Sequence, residues 1–323
     1  MGFNRVLLRS GGMASALLFA GIVLMARGAE PLAEVMASAP NRIAPWVTEG
    51  NPLPPVEKLL GVNRQFWVRV GPPEASLSVS VVEPKDKSRP LRGTILVLHG
   101  ILGRSANMLP TAWALSGAGY RAVLVDLRGH GRSTGKYLTF GIQEAKDISQ
   151  VIDDLERTGL VAGKLGALGI SYGATTSIHL AGYDSRIKAV VAIEPFSNVR
   201  DEAPHFARVV APAIGLWISD KTYQESLDEA GRIANFNPDE ADAAKAIQRT
   251  SAPVLIIHGT NDWVVPHQHS ERLHAAALDH SKLVSVPFLG HVALMVDPGG
   301  FVAKQACDWF DRELDGQAGV ARP

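Results

Sequence analysis

Short apolar runs alternate with segments of helical periodicity through most of the chain. Two runs near residue 70 alternate apolar and polar positions on either side of Gly71-Pro72-Pro73, which predicts a pair of antiparallel strands. The later runs are continuously apolar and of strand length, as in buried strands of a parallel sheet. The predicted strands cover residues 66–70, 77–82, 94–98, 120–125, 165–169, 187–193, 254–257 and 283–286.

Helical patterns fill the gaps between these runs, most clearly over residues 142–155. Alternating strands and helices favour a mostly parallel sheet that is covered by helices on both faces. Residues 196–250 interrupt this rhythm with helical character, and we expect an inserted helical lid there. Pro204 and Pro212 predict that the insertion is not one straight helix.

The N-terminus reads as a separate segment. Arg5 and Arg9 precede an uncharged stretch over residues 10–26, and the small residues Ala26 and Gly28 follow. This is typical of an export signal, and the stretch is shorter than the roughly 20 residues of a transmembrane helix. We therefore expect residues 1–29 to be a signal peptide of a periplasmic or secreted protein, or alternatively a retained membrane anchor.

Prolines dominate the next part of the chain. Six of them lie between residues 30 and 61, and each fixes a backbone angle and lacks an N–H donor. We expect residues 30–61 to form a tether or surface wrap without regular structure. The main domain then covers residues 62–315 and includes the lid insertion.

Composition excludes several classes of function. The 323 residues carry 32 basic and 32 acidic side chains, so no charge footprint indicates a nucleic-acid partner. The single Cys307 cannot form an internal disulfide or a multi-thiolate metal site. His267 and His269 have a possible metal-ligand spacing but no convincing third ligand, and we expect them at a solvated helix start. No nucleotide-binding or zinc motif occurs, so we expect neither cofactor nor metal.

A candidate nucleophile follows the strand at 165–169. The sequence Gly169-Ile170-Ser171-Tyr172-Gly173 has small neighbours on both sides of a serine, between a predicted strand and a predicted helix. Such a turn exposes the serine oxygen at the start of the helix. A serine hydroxyl needs a base to remove its proton, and histidine has the suitable pKa.

The matching base and acid also follow predicted strands. His291 comes after the strand at 283–286, and Asp262 lies directly beyond the strand at 254–257. A buried carboxylate would orient the imidazole and stabilise its charged form. Glu194, after the strand at 187–193, is a rival acid. The order Ser171, Asp262, His291 places each group at the carboxyl end of a different strand, where open α/β sheets bind ligands.

These motifs resemble those of the α/β-hydrolase family, which has the serine elbow, the acid loop (HGTND here), a late Gly-His and an early His-Gly turn in the same order. The resemblance spans residues 66–311 and is similar to exported bacterial serine esterases of the serine aminopeptidase, monoglyceride lipase and dienelactone hydrolase-like groups. It implies an eight-stranded, mostly parallel sheet with helices on both faces and a helical lid insertion.

The resemblance also implies an oxyanion hole. Its donors would be the backbone N–H groups of Tyr172, the residue after the nucleophile, and of Ile101, after His99-Gly100. The family's turn at Asp126, Arg128 and His130 is usually a structural knot of ion pairs and hydrogen bonds.

An apolar stripe in the lid insertion offers a substrate pocket, with Phe206, Val210 and Trp217 as candidate lining residues. The alternative is that this stripe packs the lid onto the sheet.

The leading hypothesis is a serine hydrolase that cleaves a carboxylic ester through an acyl-enzyme. A peptidase or amidase, or a cofactor-free perhydrolase, would use the same residues. A non-catalytic envelope binding protein is a further alternative. The expected partner is a small ester or amide substrate, with membrane association only through the N-terminal segment.

Overall fold

The computed structural model describes residues 29–43 and 60–314. The expected signal or anchor at residues 1–29 therefore lies, apart from Ala29, outside the described residues. Eight strands are present in this part of the chain: β1 Arg64–Val70, β2 Ala75–Val82, β3 Gly93–Leu98, β4 Arg121–Val125, β5 Lys164–Ile170, β6 Ile187–Ile193, β7 Val254–Gly259 and β8 Ser281–Val286.

The strands form one sheet in the order β1-β2-β4-β3-β5-β6-β7-β8. β2 pairs antiparallel with both β1 and β4, whereas the pairs from β4 to β8 are parallel. The predicted strands and the mostly parallel sheet are thus confirmed. The continuous apolar runs form its centre, since every residue of β3 and of β7 is buried.

Helices cover both faces of the sheet. Alternate residues of a strand point to opposite faces, and Leu96 and Leu98 of β3 belong to one buried apolar cluster while Ile95 and Val97 belong to another. The described helices are α1 Ala29–Ala37, α2 Pro40–Ile43, α3 Leu109–Gly117, α4 Ile142–Arg157, α5 Tyr172–Tyr183, α6 Val199–Val210, α7 Pro212–Gly215, α8 Asp220–Ala234, α9 Ala243–Ile247, α10 Gln268–Ala275, α11 His291–Val296 and α12 Phe301–Glu313.

The start of the proline-rich segment has regular structure, so the expectation of an irregular tether is wrong for residues 30–43. Helix α1 packs its small residues Ala33 and Ala37 against Ala230 of α8. The chain after it then pairs with residues 136–138, where the Ala39 N–H donates to the Lys136 carbonyl at 2.9 Å. Tertiary packing compensates here for the prolines. The expected tether at residues 44–59 lies outside the described residues.

The segment between β6 and β7 is helical, from α6 to α9. Pro212 starts a new helix after a break at Ala211, as expected, but Pro204 stands inside the continuous helix α6. The cap of α6 is Asn198, whose side chain accepts the Asp201 N–H at 2.8 Å. The role of this segment as a lid stays a prediction.

Within residues 29–43 and 60–314, no helix is long and apolar enough to cross a membrane.

The turn after β4 is fixed by a buried ion pair. The Arg128 guanidinium donates two hydrogen bonds to the Asp147 carboxylate of α4, at 2.7 and 2.8 Å, and both side chains are buried. The Asp126 carboxylate accepts backbone N–H groups from Ser105 and Arg132. These contacts tie α4 and the turn after β3 to the same edge of the sheet.

We predict that Asp147→Asn lowers the free energy of unfolding by about 3 kcal/mol, because it leaves the buried Arg128 charge without its counter-ion. Urea denaturation measures this loss. Asp153→Asn, on the same helix, removes a largely exposed partner of Arg186 and should cost less than about 1 kcal/mol. Equal losses for the two variants would contradict the assignment.

Candidate active site

Ser171 occupies a strained turn between β5 and α5. Its backbone has φ 53° and ψ −117°, a positive φ that is uncommon for a residue with a side chain. The two flanking glycines make the turn possible. A Cβ on Gly169 would lie 2.1 Å from the Gly173 carbonyl oxygen, and a Cβ on Gly173 would lie 2.4 Å from the Leu98 carbonyl oxygen. The G-x-S-x-G pattern therefore has a steric cause.

The turn holds Ser171 against the neighbouring strands. Its N–H donates to the carbonyl of Ile193, the last residue of β6, at 2.7 Å. On the other side, a Cβ on Gly100 would lie 3.4 Å from Ser171 Cβ, so the turn after β3 comes close to the serine. Ser171 also lines an apolar cavity.

Asp262 and His291 meet beyond the ends of β7 and β8. His291 Nδ1 lies 2.7 Å from Asp262 Oδ2, and both residues are buried. The other carboxylate oxygen, Oδ1, accepts the N–H groups of Val264 and Val265 at 2.8 and 2.9 Å. Because the carboxylate accepts, His291 Nδ1 must carry the proton, which leaves Nε2 free to act as a base.

His258 is a further partner of Asp262. It is the first residue of the HGTND loop, but the sequence pattern predicted no role for it. Its Nε2 lies 2.8 Å from the Val265 carbonyl oxygen, which can only accept, so this nitrogen carries a proton. The same Nε2 is 3.2 Å from Asp262 Oδ2. His258 Nδ1 faces the Ser270 hydroxyl at 2.6 Å. His258 therefore orients the carboxylate from the end of β7.

The rival acid Glu194 also reaches this site. It follows Ile193 directly, and its Oε2 lies 3.2 Å from His291 Nδ1, farther than Asp262. Glu194 is completely buried, neither of its carboxyl oxygens accepts a hydrogen bond from a described residue, and its close polar neighbours are His291 Nδ1 and the Asp262 carboxylate. Two acids thus lie at one imidazole, and only Asp262 accepts several hydrogen bonds from N–H groups.

Hydrogen-bond donors determine which of the two acids, Asp262 or Glu194, is ionised. Burial alone would raise the pKa of Asp262, but hydrogen bonds from His258 and His291 hold it below the usual carboxyl range. Burial, followed by the neighbouring charge of Asp262, raises the pKa of Glu194 to about 10. At neutral pH, Asp262 is therefore ionised and Glu194 is protonated.

An apolar cavity of about 220 Å³ opens at Ser171. Phe206 and Val210 line it, as the stripe in the sequence predicts. Trp217 does not: it is 83 % exposed and lies outside the lining, because it belongs to the turn after the short helix α7. The other apolar lining residues include Leu32, Val35, Met36, Ile101, Leu138, Phe140, Phe196, Val199, Ala203, Ala207, Ile218, Tyr223 and Val265.

Glu202 is a buried acid in this apolar lining, and sequence reasoning missed it. Its Oε2 lies 3.3 Å from His269 Nε2. Burial and then the charge of Asp262 raise the pKa of Glu202 to about 9. Its position could have been recognised from the sequence, because Glu202 lies four residues before Phe206 and eight before Val210, on the same face of α6.

His269 is buried, so the expected solvated helix start is wrong for this residue. Its Nδ1 accepts the Ser197 N–H at 3.1 Å, which leaves the proton on Nε2, facing Glu202. Burial and the nearby Arg272 lower the pKa of His269 to about 3. His269 is therefore neutral, and its Nε2 faces Glu202 Oε2 at 3.3 Å without a hydrogen bond between them.

The candidate oxyanion donors lie beside the serine. Tyr172 is the first residue of α5, where an N–H has no acceptor in a preceding turn, and Ile101 lies in the turn after β3. Both residues line the cavity together with Ser171. His99 fixes the second turn: its Nδ1 donates to the Gly100 carbonyl at 2.8 Å, and its Nε2 accepts the Leu127 N–H at 3.0 Å.

One group among the described residues has the spacing of metal ligands. Glu194, Asp262 and His291 each offer one nitrogen or oxygen, and these atoms lie within 4.8 Å of one another. The short hydrogen bond between Asp262 and His291 already uses two of them. The arrangement is therefore best explained as an acid–base pair with a neighbouring neutral acid.

Relatives by sequence include bacterial proteins. The uncharacterized protein YfhR of Escherichia coli K12 is 26 % identical over 215 residues, which are 66 % of this chain and 67 % of YfhR.

Two solved structures have a similar fold. Esterase Pf2001 of Pyrococcus furiosus matches with a TM-score of 0.63 and 18 % identity, over 80 % of this chain and 94 % of its own. Acylaminoacyl peptidase of Pyrococcus horikoshii matches with a TM-score of 0.59 and 18 % identity, over 83 % of this chain and 44 % of its own. At these identities the likeness establishes the fold.

The family follows from a third comparison. The family model "X-Pro dipeptidyl-peptidase (S15 family)" matches residues 74–236, half of the chain. These residues run from the start of β2 through the serine elbow to the end of α8. The resemblance to α/β hydrolases is thereby confirmed, and the chain belongs to the X-Pro dipeptidyl-peptidase (S15) family within the α/β-hydrolase fold.

Proposed function

We propose that this protein is a serine hydrolase that cleaves a carboxylic ester, with Ser171 as nucleophile, His291 as base and Asp262 as the acid that orients His291. The observation that carries the proposal is a strained serine turn at an apolar cavity, together with a buried imidazole that is hydrogen-bonded to a carboxylate at the same edge of the sheet. A fold that only binds ligands has no need for this combination.

The reaction proceeds through an acyl-enzyme. Ser171 Oγ attacks the carbonyl carbon while its proton moves to His291 Nε2, and the carbonyl electrons form an oxyanion. The N–H groups of Ile101 and Tyr172 stabilise that charge. The tetrahedral intermediate then expels the alcohol, which takes the proton from Nε2. Water repeats the sequence on the acyl-enzyme and releases the carboxylic acid.

The charges around His291 suit this proton transfer. Asp262 is ionised and compensates the imidazolium that forms when Nε2 accepts the serine proton. Glu194 faces the same Nδ1 in its neutral form and adds no second negative charge. The proposal therefore needs one ionised carboxylate beside His291, with Glu194 protonated.

The cavity supports a small apolar acyl group. Its volume of about 220 Å³ is below the roughly 300–1,000 Å³ of sites for drug-sized ligands. Apolar side chains from α1, α6 and the turn after β3 surround it. We infer that short and medium acyl esters are the preferred substrates.

A peptidase or amidase is the second candidate. The family model is named for a peptidase, and the same nucleophile, base and acid can cleave an amide. The amide differs in its leaving group, which must receive its proton from His291 before the C–N bond breaks. Hydrolysis of p-nitrophenyl esters, compared with aminoacyl p-nitroanilides, distinguishes the two candidates.

We predict that a fluorophosphonate probe labels the protein covalently at Ser171. Ser171→Ala should abolish labelling, and His291→Ala should lower the labelling rate at least about 10²-fold because the hydroxyl loses its base. Mass spectrometry and time courses measure both effects. His274→Ala, at a histidine away from the site, is the matched control. Absence of labelling in the folded protein would refute the catalytic role.

We predict that Ala203→Phe shortens the preferred acyl chain, because residue 203 lines the cavity on α6. The ratio of kcat/KM for p-nitrophenyl octanoate to that for p-nitrophenyl acetate should fall about tenfold. Ala275→Phe, at an exposed position of α10, is the control and should leave the ratio unchanged. An unchanged ratio in Ala203→Phe would mean that the acyl group binds elsewhere.

We predict that Glu194→Gln stabilises the protein more at pH 8 than at pH 5. Folding raises the pKa of Glu194 from 4.5 to about 10, so the folded state retains a proton that the unfolded state loses between these values. Stability contributed by this group therefore falls as pH rises through that window.

Urea denaturation of wild type and Glu194→Gln at both pH values checks this, with a gain of at least about 1 kcal/mol expected at pH 8. Glu240→Gln, at an exposed position, should show no such difference. A gain that is the same at pH 5 and pH 8 would contradict a protonated Glu194.

A further inference from the structure

Exposed apolar side chains are concentrated near the candidate active site. Of the fourteen large hydrophobic side chains that are exposed among the described residues, eight belong to three short segments, here called the apolar rim. Single exposed apolar residues are normal, but such clustering marks an interaction surface. The rim consists of Leu216, Trp217, Trp263, Phe288, Leu289, Val292, Met295 and Val296.

Helix α11 is apolar on both of its faces. His291 and Leu294 point inward and are buried, whereas Val292, Met295 and Val296 are exposed. Surface helices of soluble proteins normally present polar residues to water, and a helix that is apolar all round is normally covered. The outer face of α11 is therefore unusual for a surface in contact with water alone.

The loop before α11 has the same character. Phe288 is 89 % exposed and has a φ of 63°, an uncommon conformation for a bulky residue. Its N–H donates to the Thr260 hydroxyl at 3.1 Å, which fixes the backbone while the ring points away from the protein. The structure thus holds an aromatic ring in solvent at a conformational cost.

The segment after α6 adds a tryptophan at the cavity edge. Gly215 and Ile218 line the cavity, and the exposed Leu216 and Trp217 lie between them. No charged residue occurs from position 209 to position 219. This part of the rim therefore combines exposed apolar surface with an absence of charge.

Direct contacts connect the three segments. The Asn261 N–H donates to the Leu289 carbonyl at 2.9 Å, which joins the loop before α11 to the loop that carries Asp262 and Trp263. His205 Nε2, on α6, lies 3.0 Å from the Trp263 carbonyl. A Cβ on Gly215 would lie 2.7 Å from the Arg208 backbone, so α7 packs closely on α6. The rim thus lies next to the base, the acid and the cavity edge, since its residues adjoin His291, Asp262 and the lining residue Gly215 along the chain.

The apolar N-terminal segment of the chain favours lipid as the occupant of the rim. Helix α1 begins at Ala29 and contributes Leu32, Val35 and Met36 to the cavity lining. The 28 residues before it include the uncharged apolar stretch at 10–26, which has the composition of a lipid-inserting segment. Where this segment is retained as a membrane anchor, the alternative to a cleaved signal peptide, it tethers α1 and one wall of the cavity to a bilayer.

Side-chain chemistry favours the same occupant. Tryptophan and phenylalanine are typical of surfaces that enter the boundary between lipid headgroups and acyl chains. Charge is absent from residues 209–219 and 283–296, apart from the titratable His291, and charged residues occur only where these segments end, at Arg208, Asp220, Lys282 and Asp297. A neutral lipid surface matches this pattern.

We propose that the apolar rim docks on the surface of a lipid bilayer and directs the mouth of the cavity toward it. Trp217, Trp263 and Phe288 enter the interfacial layer, while Ser171, Asp262 and His291 remain within the protein. Substrates dissolved in the bilayer then reach Ser171 without first crossing bulk water.

The test measures which tryptophans contact lipid. The full chain with Ser171→Ala and Trp46→Phe is mixed with phosphatidylcholine vesicles, with and without brominated acyl chains that quench tryptophan fluorescence on contact. Quenching is expected in this background and should fall by more than half in Trp217→Phe/Trp263→Phe. It should persist in the control Trp67→Phe/Trp113→Phe, which removes two other exposed tryptophans.

Three outcomes would overturn the proposal. The first is an absence of quenching in the background protein, and the second is a loss of quenching in the control pair instead of the rim pair. The third is shielding of Trp217 and Trp263 from both brominated lipid and aqueous acrylamide, which would show that another part of the chain or a second copy covers the rim. Circular dichroism verifies that each variant is folded. Because the Ser171→Ala protein is inactive by design, these results are independent of the proposed hydrolase activity.

Discussion

The site depends on the placement of a single negative charge. Three carboxyl groups, those of Asp262, Glu194 and Glu202, are buried near His291 or in the adjoining cavity. Only Asp262 has enough donors to remain ionised, whereas burial and, after it, the charge of Asp262 raise the pKa of the other two. Since burying several like charges together is costly, this arrangement lets the protein keep acids in an apolar interior.

The sheet brings the residues of the candidate site together. Strands β5, β6, β7 and β8 are consecutive neighbours and run parallel, so the residues after them lie along one edge. Ser171 follows β5 and is hydrogen-bonded to the end of β6, while Asp262 follows β7 and His291 follows β8. Close packing at Gly169 and Gly173 then fixes the serine turn. Sheet order and glycine positions therefore supply the geometry that the proposed chemistry requires.

The sequence predicts those parts of the fold that local pattern determines. Apolar runs such as that of β3 are buried on both faces and could be recognised directly, as could the serine turn with its two glycines. Contacts between distant residues were missed. Helix α1 forms despite nearby prolines because it packs on α8, and Glu202 and His269 are buried by a pairing of α6 with α10 that no local pattern records. Trp217 belongs to an apolar stripe, but a short helix turns it outward.

Helix α1 has a consequence for how the cavity is assembled. Leu32, Val35 and Met36 come from the beginning of the described chain, yet they face residues of α6 that lie well over a hundred positions later. A recombinant fragment that starts at β1 would retain every proposed catalytic group and lose one side of the acyl compartment. Domain boundaries drawn from the catalytic motifs alone would thus separate the chemistry from part of its selectivity, and relatives that differ before β1 could diverge in substrate choice while keeping the same reaction.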